Sequence, residues 1–135
     1  MNLKERTYLF MENQTKKIDS ILSNTEKILL KLGGSFYSKG FQPTAEIIDL
    51  IGGVYLESRE LLPLDMGYVS YAETMGRGKS TVIRNVTVFI RQLHMVNHPL
   101  YSKYILENNT DITNKIFIYN FIKNKDYLEK ELLGI

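Results

Sequence analysis

The sequence contains no cysteine, no apolar run long enough to span a membrane, and no acidic residue between Thr74 and Leu106. Without cysteine, the chain can form neither a disulfide scaffold nor a thiolate zinc site, and the composition fits a reducing cytosol. No apolar run approaches the ~18 residues of a transmembrane helix, and the run Tyr8 to Met11 is too short for a signal peptide. These absences predict a soluble cytoplasmic protein that does not enter a membrane.

The chain has enough apolar surface for one folded domain. Its 135 residues are 44% hydrophobic and include nine Tyr and six Phe. Burial of that much apolar surface offsets the entropy lost on folding, and the length fits a single core.

The positive charge is concentrated in the acid-free window. Residues 1–73 hold eight Lys/Arg and ten Asp/Glu, and residues 107–135 hold four and five, although the net charge of the whole chain is only +2. Clustered positive charge attracts anionic partners, and nucleic acid is the first to consider. The basic residues of the window are Arg77, Lys79, Arg84, Arg91 and Lys103.

Residues 1–43 are predicted to form an N-terminal helical segment. Apolar residues recur at three- and four-residue steps from Thr15 to Leu32, which is typical of an amphipathic helix, and Gly33-Gly34 end it. This helix either packs on its own domain or forms a homodimer through residues 15–32. The residues with near-heptad spacing are Ile18, Ile21, Ile28 and Leu32.

The helices of residues 44–135 are predicted from periodicity and from glycine, proline and capping patterns. The C-terminal third has two interpretations, because residues 101–121 fit either a β-hairpin or a helical stripe through Ile112, Ile116, Tyr119 and Ile122. The other predicted elements are a helix over 44–62 that contains Gly52-Gly53, a turn over 63–67, a very short strand at Tyr68-Val69, a helix from Ser70 to Gly76 with a Ser70/Glu73 capping box, a helix from Gly78 to Met95, and a short helix over 126–133.

The helix from Gly78 to Met95 carries two distinct stripes. One is apolar and is predicted to be buried, and the other is polar and presents guanidinium and hydroxyl groups that suit phosphate oxygens or base edges. The apolar stripe is Val82, Val86, Phe89 and Leu93, and the polar stripe is Ser80, Arg84, Thr87 and Arg91.

Ala72, Gly76 and the run Ser80-Thr81-Val82 resemble the signature of the helix-turn-helix family, with a small residue at the helix crossing and a glycine in the turn. The resemblance covers residues 70–91. It implies a mainly α protein (α+β if a wing forms at 101–121), with a winged or simple helix-turn-helix in residues 44–135 and an extra N-terminal helix. The departures from the family pattern are Arg77, where an apolar residue is usual, and Ile83, where a polar one is common.

The resemblance implies a sequence-specific protein that binds double-stranded DNA, as a small transcriptional regulator or a mobile-element control protein. The implied major-groove residues are Lys79, Ser80, Arg84 and Thr87, and the implied phosphate contacts are Arg77 and Arg91. Lys103 is added to the DNA-binding set as the last basic residue of the acid-free window.

Other functions receive less support from the sequence. Residues 76–81 resemble a phosphate loop, but Glu73 stands where that motif needs glycine, and His94 and His98 have no third metal ligand nearby in sequence. We therefore expect no catalysis, cofactor or metal. The alternatives are a helical protein-interaction module of the inhibitor or immunity type, a recombinase-like core-binding module without its catalytic domain, and an ordinary solvated helix surface.

Overall fold

The computed structural model describes residues 21–135, and the regular secondary structure in that range is entirely helical. This confirms the predicted mainly α class. Two π-helical turns, Ser102–Leu106 and Glu129–Leu133, each continue the short helix that precedes them. The helices are α1 (Asn24–Lys31), α2 (Phe41–Ser58), α3 (Leu64–Met75), α4 (Lys79–Val96), α5 (Pro99–Tyr101), α6 (Asn114–Lys123) and α7 (Lys125–Leu128).

The helix α2 lies at the centre of the fold, and α1, α3, α4 and α6 all pack against it. One hydrophobic core joins these helices, so the predicted boundary at residue 43 does not separate two cores. Burial of each large apolar side chain contributes about 1.5–3 kcal/mol to this core. The fully buried aromatic side chains in it are Tyr101, Phe41, Phe89, Phe117 and Phe121.

The helix α1 begins after Ser23, whose backbone is extended, so the predicted continuous helix over residues 15–32 is wrong. Ser23 and Glu26 form a capping box with two reciprocal hydrogen bonds of 3.1 Å. Ile28 and Leu32 are fully buried in the chain's own core and are not available to a second copy, whereas Ile21 is 73% exposed. Ile18 and the rest of the predicted segment before residue 21 lie outside the described residues.

The helix α2 runs without a break through Gly52 and Gly53 and ends at Ser58, with Arg59 as its C-cap, earlier than the predicted Leu62. A Cβ atom on Gly52 would contact Ile122 at an ordinary 3.6 Å, and one on Gly53 would have no neighbour within 4 Å. Neither glycine is therefore required by close packing.

The helix α3 begins at Leu64, so the predicted turn over 63–67, the strand at Tyr68-Val69 and the capping box at Ser70 are all wrong. Gly67 and Tyr68, which follow the mostly exposed first turn of the helix, are buried, and this packing holds the start of the helix in place. A Cβ atom on Gly67 would lie 2.8 Å from Ile47 Cγ2 of α2, which shows how closely the two helices approach there.

Residues 101–121 form no hairpin, so the predicted wing is wrong and this segment is helical. The predicted stripe is only partly correct, because Ile112 precedes α6 and the buried face of α6 is Phe117, Ile118, Phe121 and Ile122. Ile105 on the π-helical turn and Phe117 on α6 are both fully buried.

The wider π-helical turn after α5 has two backbone carbonyls that accept hydrogen bonds from side-chain amides. Asn120 donates to the Ile105 carbonyl and Asn124 to the Tyr104 carbonyl, each at 2.8 Å. The predicted C-terminal helix over 126–133 is present as α7 and its π-helical turn.

Candidate nucleic-acid interface

A three-residue turn, Gly76 to Gly78, joins α3 to α4. Gly76 has a φ of +62°, a conformation that glycine reaches at little cost. The Arg77 N–H donates to the Ala72 carbonyl at 2.8 Å, which closes the end of α3. Ala72 and Val82 are buried on either side of the turn, so the first residues of α4 are held in a fixed orientation relative to α3.

The outer face of α4 is a ridge of side chains spaced four residues apart, Ser80, Arg84 and Val88, and each of them is exposed. The opposite face is buried, as predicted. It consists of Val82, Val86, Phe89 and Leu93, joined by Ile90. The ridge can therefore reach a partner while α4 remains anchored in the core.

Thr87 does not lie on this ridge, contrary to the prediction. Its hydroxyl donates to the Ile83 carbonyl at 2.7 Å and accepts from Asn114 Nδ2 at 2.8 Å. Asn114 also donates to the Tyr68 hydroxyl at 2.9 Å. Thr87 thus binds α6 inside the protein, and Val88 takes its place on the exposed ridge.

Two of the predicted DNA-binding residues pair with carboxylates from other parts of the chain. Lys79 forms an ion pair with Asp65 on α3, and Arg91 Nη1 lies 2.8 Å from Asp111 Oδ1. The Ile112 backbone N–H, and then the Arg91 guanidinium, hold the pKa of Asp111 below its ordinary value. The acid-free window therefore contains no acidic residue of its own, but carboxylates from other parts of the chain lie next to two of its basic residues.

Lys103 lies on a different element, the π-helical turn after α5, where its ammonium is 5.1 Å from the centre of the Tyr104 ring.

The two histidines occupy separate environments. His94 Nδ1 is 2.6 Å from the Tyr101 hydroxyl, and His98 Nδ1 accepts from the Leu100 N–H at 3.0 Å.

The loop over residues 33–40 passes along one flank of α4. A Cβ atom on Gly40 would lie only 2.1 Å from the Asn85 carbonyl oxygen, so the loop backbone touches the helix backbone at this point. The space between the loop and α4 is a groove of about 430 Å³, which we call the loop groove. Its lining residues are Ser35, Tyr37, Ser38, Lys39, Gly40, Arg84, Asn85, Val88 and Gln92.

A second depression of about 270 Å³ shares Lys39 and Asn85 with the wall of the loop groove and is also lined by Arg77. No carboxylate lines either space. In contrast, the cleft of about 500 Å³ between α2 and α7 includes Asp49, Asp126 and Glu129 among its lining residues. The basic surface around α4 thus consists of Arg77 and Arg84 together with Lys39.

Lys39 was missed by the sequence analysis because it lies far before the acid-free window. The available signal was the glycine spacing of the loop, Gly33, Gly34 and Gly40, which indicates a backbone that approaches a neighbouring element closely. That spacing does not identify the neighbour.

None of the helices in residues 21–135 combines the length and the apolar character needed to cross a bilayer. Comparison of the chain with protein-family models, with curated proteins and with solved structures found no match. The functional interpretation of the surface around α4 therefore depends on its geometry and charge.

Proposed function

We propose that this protein binds double-stranded DNA through the exposed ridge of α4 and acts as a small regulator of transcription or of mobile-element replication. The observation that carries the proposal is a pair of neighbouring spaces beside the first half of α4, which are lined by Arg77, Arg84 and Lys39 and by no carboxylate.

The ridge offers side chains suited to base recognition. The guanidinium of Arg84 can form paired hydrogen bonds with a guanine edge, and the Ser80 hydroxyl can bond to a base or a phosphate. The exposed methyl groups of Val88 can contact a thymine methyl, since apolar contacts distinguish thymine in the major groove. The other side of α4 is held in the core, so the backbone that carries these side chains is fixed before any partner binds.

Arg77 is placed to contact the phosphate backbone beside the ridge. It belongs to the turn that precedes α4, and its side chain is exposed at the edge of the depression. Contacts of this kind position a protein on DNA without reading its sequence. The fold supports a simple helix-turn-helix arrangement for this proposal, because the predicted wing is replaced by helices.

The test is a titration of labelled duplex DNA at several salt concentrations with four proteins: wild type, Arg84→Ala, Arg77→Ala and the control Lys130→Ala. Lys130 is an exposed lysine on the last π-helical turn, outside the spaces that Arg77 and Arg84 line. We expect Arg84→Ala to cost about 1–3 kcal/mol of specific binding and to relax sequence preference. Arg77→Ala should weaken binding to all sequences and reduce the salt slope by about 0.9.

The proposal fails if wild type does not bind duplex DNA at low salt, or if both arginine variants bind like the control. Thermal melting of each variant establishes that the exposed substitutions leave the fold intact.

A protein-interaction module is the second candidate, because the second half of α4 exposes Met95 (84%) and Val96 (54%). An acidic protein partner would use these apolar side chains together with Arg84. In that case Met95→Ser and Arg84→Ala should both weaken a purified complex that survives nuclease treatment. DNA binding through the ridge predicts that Met95→Ser has no effect on duplex affinity.

A further inference from the structure

Tyr37 lies at the mouth of the loop groove and is 93% exposed. Its ring is not supported by burial, but its position is held by a chain of aromatic contacts. The Phe36 ring lies 5.9 Å from that of Tyr37 in an edge-to-face arrangement, and 5.4 Å from the buried Phe41. Phe41 in turn contacts Phe89 of α4 at 5.8 Å. An aromatic face is therefore presented to solvent from a base that is anchored in the core.

The loop backbone is also well ordered by hydrogen bonds. The Ser38 N–H donates to the Ser35 carbonyl at 3.1 Å, and the Phe41 N–H donates to the Ser38 carbonyl at 3.1 Å. The Tyr37 N–H donates to the Ser35 hydroxyl at 3.3 Å. These bonds fix the loop in two consecutive turns beside α4, so that Tyr37 and Lys39 are held at the same groove.

The loop groove combines an aromatic platform with cationic and hydrogen-bonding groups. Lys39 and Arg84 supply positive charge, and Asn85 and Gln92 supply amide groups, with no carboxylate in the wall. Its volume of about 430 Å³ lies in the range of about 300–1,000 Å³ that is typical of small-ligand sites, which a nucleotide fits.

A base within a duplex is stacked on its neighbours and exposes only its edges in the grooves, so it offers no face to an aromatic side chain. An unpaired base does offer its face, and stacking of such bases on aromatic residues beside a basic groove is the usual mode of single-strand binding. We infer that the loop groove binds an unpaired nucleotide next to the duplex, with its phosphate at Lys39 and its base stacked on Tyr37. This inference rests on the proposed binding of DNA by α4.

The experiment compares four labelled probes, namely a blunt duplex, two versions of the same duplex with a five-nucleotide single-stranded extension on one or the other strand, and an extension strand alone. The proteins are wild type, Tyr37→Ala, Tyr37→Phe, Lys39→Ala and the controls Tyr127→Ala and Lys130→Ala. Tyr127 is also an exposed tyrosine, and it stacks on Tyr104 away from the loop groove. All substituted side chains are exposed or outside the core, and melting curves confirm folding.

We expect wild type to bind one of the extended duplexes at least about five-fold more tightly than the blunt duplex, from one stacked base. Tyr37→Ala should abolish this gain, Tyr37→Phe should retain it, and Lys39→Ala should reduce both the gain and its salt dependence. Neither control should change it.

Two results distinguish the failure of this inference from the failure of the proposed function. If the blunt duplex is bound in an Arg84-dependent way but an extension adds nothing, the inference is wrong and the duplex proposal stands. If the blunt duplex is not bound but the single strand is bound in a Tyr37-dependent way, the duplex proposal is wrong and the assignment of the loop groove to an unpaired nucleotide stands. If no probe binds, both are wrong.

Discussion

Replacement of Gly40 by alanine tests whether the loop over residues 33–40 touches α4 as closely as the structure indicates. The backbone of Gly40, with φ −90° and ψ −8°, is accessible to any residue, so alanine causes no conformational strain there. The added Cβ atom, however, would lie 2.1 Å from the Asn85 carbonyl oxygen and 2.5 Å from Phe89 Cβ. Neither neighbour can rotate away, because one is backbone and the other is the first side-chain atom of a buried residue.

Overpacking of this kind typically costs about 1–3 kcal/mol, and the backbone clash places Gly40→Ala at about 3 kcal/mol. For a domain of this size that loss lowers the melting temperature by roughly 10 °C. The matched control is Gly53→Ala within α2, where the new methyl group would have no neighbour within 4 Å. The control should gain about 0.5–1 kcal/mol, because alanine favours a helix interior.

Thermal and urea unfolding, followed by far-ultraviolet circular dichroism, measure both variants against wild type. Opposite signs are expected for two substitutions with identical chemistry. A Gly40→Ala protein that melts at or above the temperature of wild type would refute the close approach of the loop to α4.

Two further predictions concern charge and protonation. Asp111→Asn removes the carboxylate that faces Arg91 but keeps an oxygen that can accept from the Ile112 N–H. Duplex affinity should therefore rise for all sequences, and the slope of log affinity against log salt should steepen by up to about 0.9. An unchanged slope in the salt titration would show that Arg91 does not contact DNA. Burial raises the pKa of Tyr101 from 10.0 to about 12, so between these pH values the folded protein keeps a proton that the unfolded chain releases. The free energy of unfolding should therefore fall as the pH rises through this range, and urea unfolding of Tyr101→Phe should show a smaller fall; equal falls in the two proteins would contradict the assignment.

The apolar stripe of α4 could be predicted from sequence because it depends on local periodicity alone. The positions Val82, Val86 and Phe89 have helical spacing, and the whole stripe is buried as predicted. The end of α3 was predictable for a similar reason, because Gly76 adopts the left-handed conformation that glycine favours.

The starts of helices were harder to predict because the same local pattern has two outcomes. A Ser followed three residues later by Glu occurs at Ser23 and at Ser70. The first forms a capping box, whereas the second lies inside α3. Burial of Gly67 and Tyr68 against the rest of the fold extends α3 beyond the position that the local pattern favours, and no sequence window contains that contact.

The candidate site was predictable only in part, because the fold brings charged residues that are distant in sequence next to the acid-free window. Arg77 and Arg84 belong to the acid-free window and line the spaces beside α4, but Asp65 and Asp111 reach Lys79 and Arg91 from other elements. Lys39 joins the site only because the loop returns to α4. Periodicity also could not distinguish the two edges of the polar face, so Thr87 was assigned outward although it binds Asn114.

The single amide of Asn114 has a mechanical consequence for the surface around α4. It belongs to α6 and donates to one hydroxyl on α3 and another on α4, so these three helices meet at one side chain. A change in the angle between α3 and α4 would have to break at least one of these bonds. We therefore expect the two helices to engage a partner as a rigid body, with little backbone movement between the free and bound states.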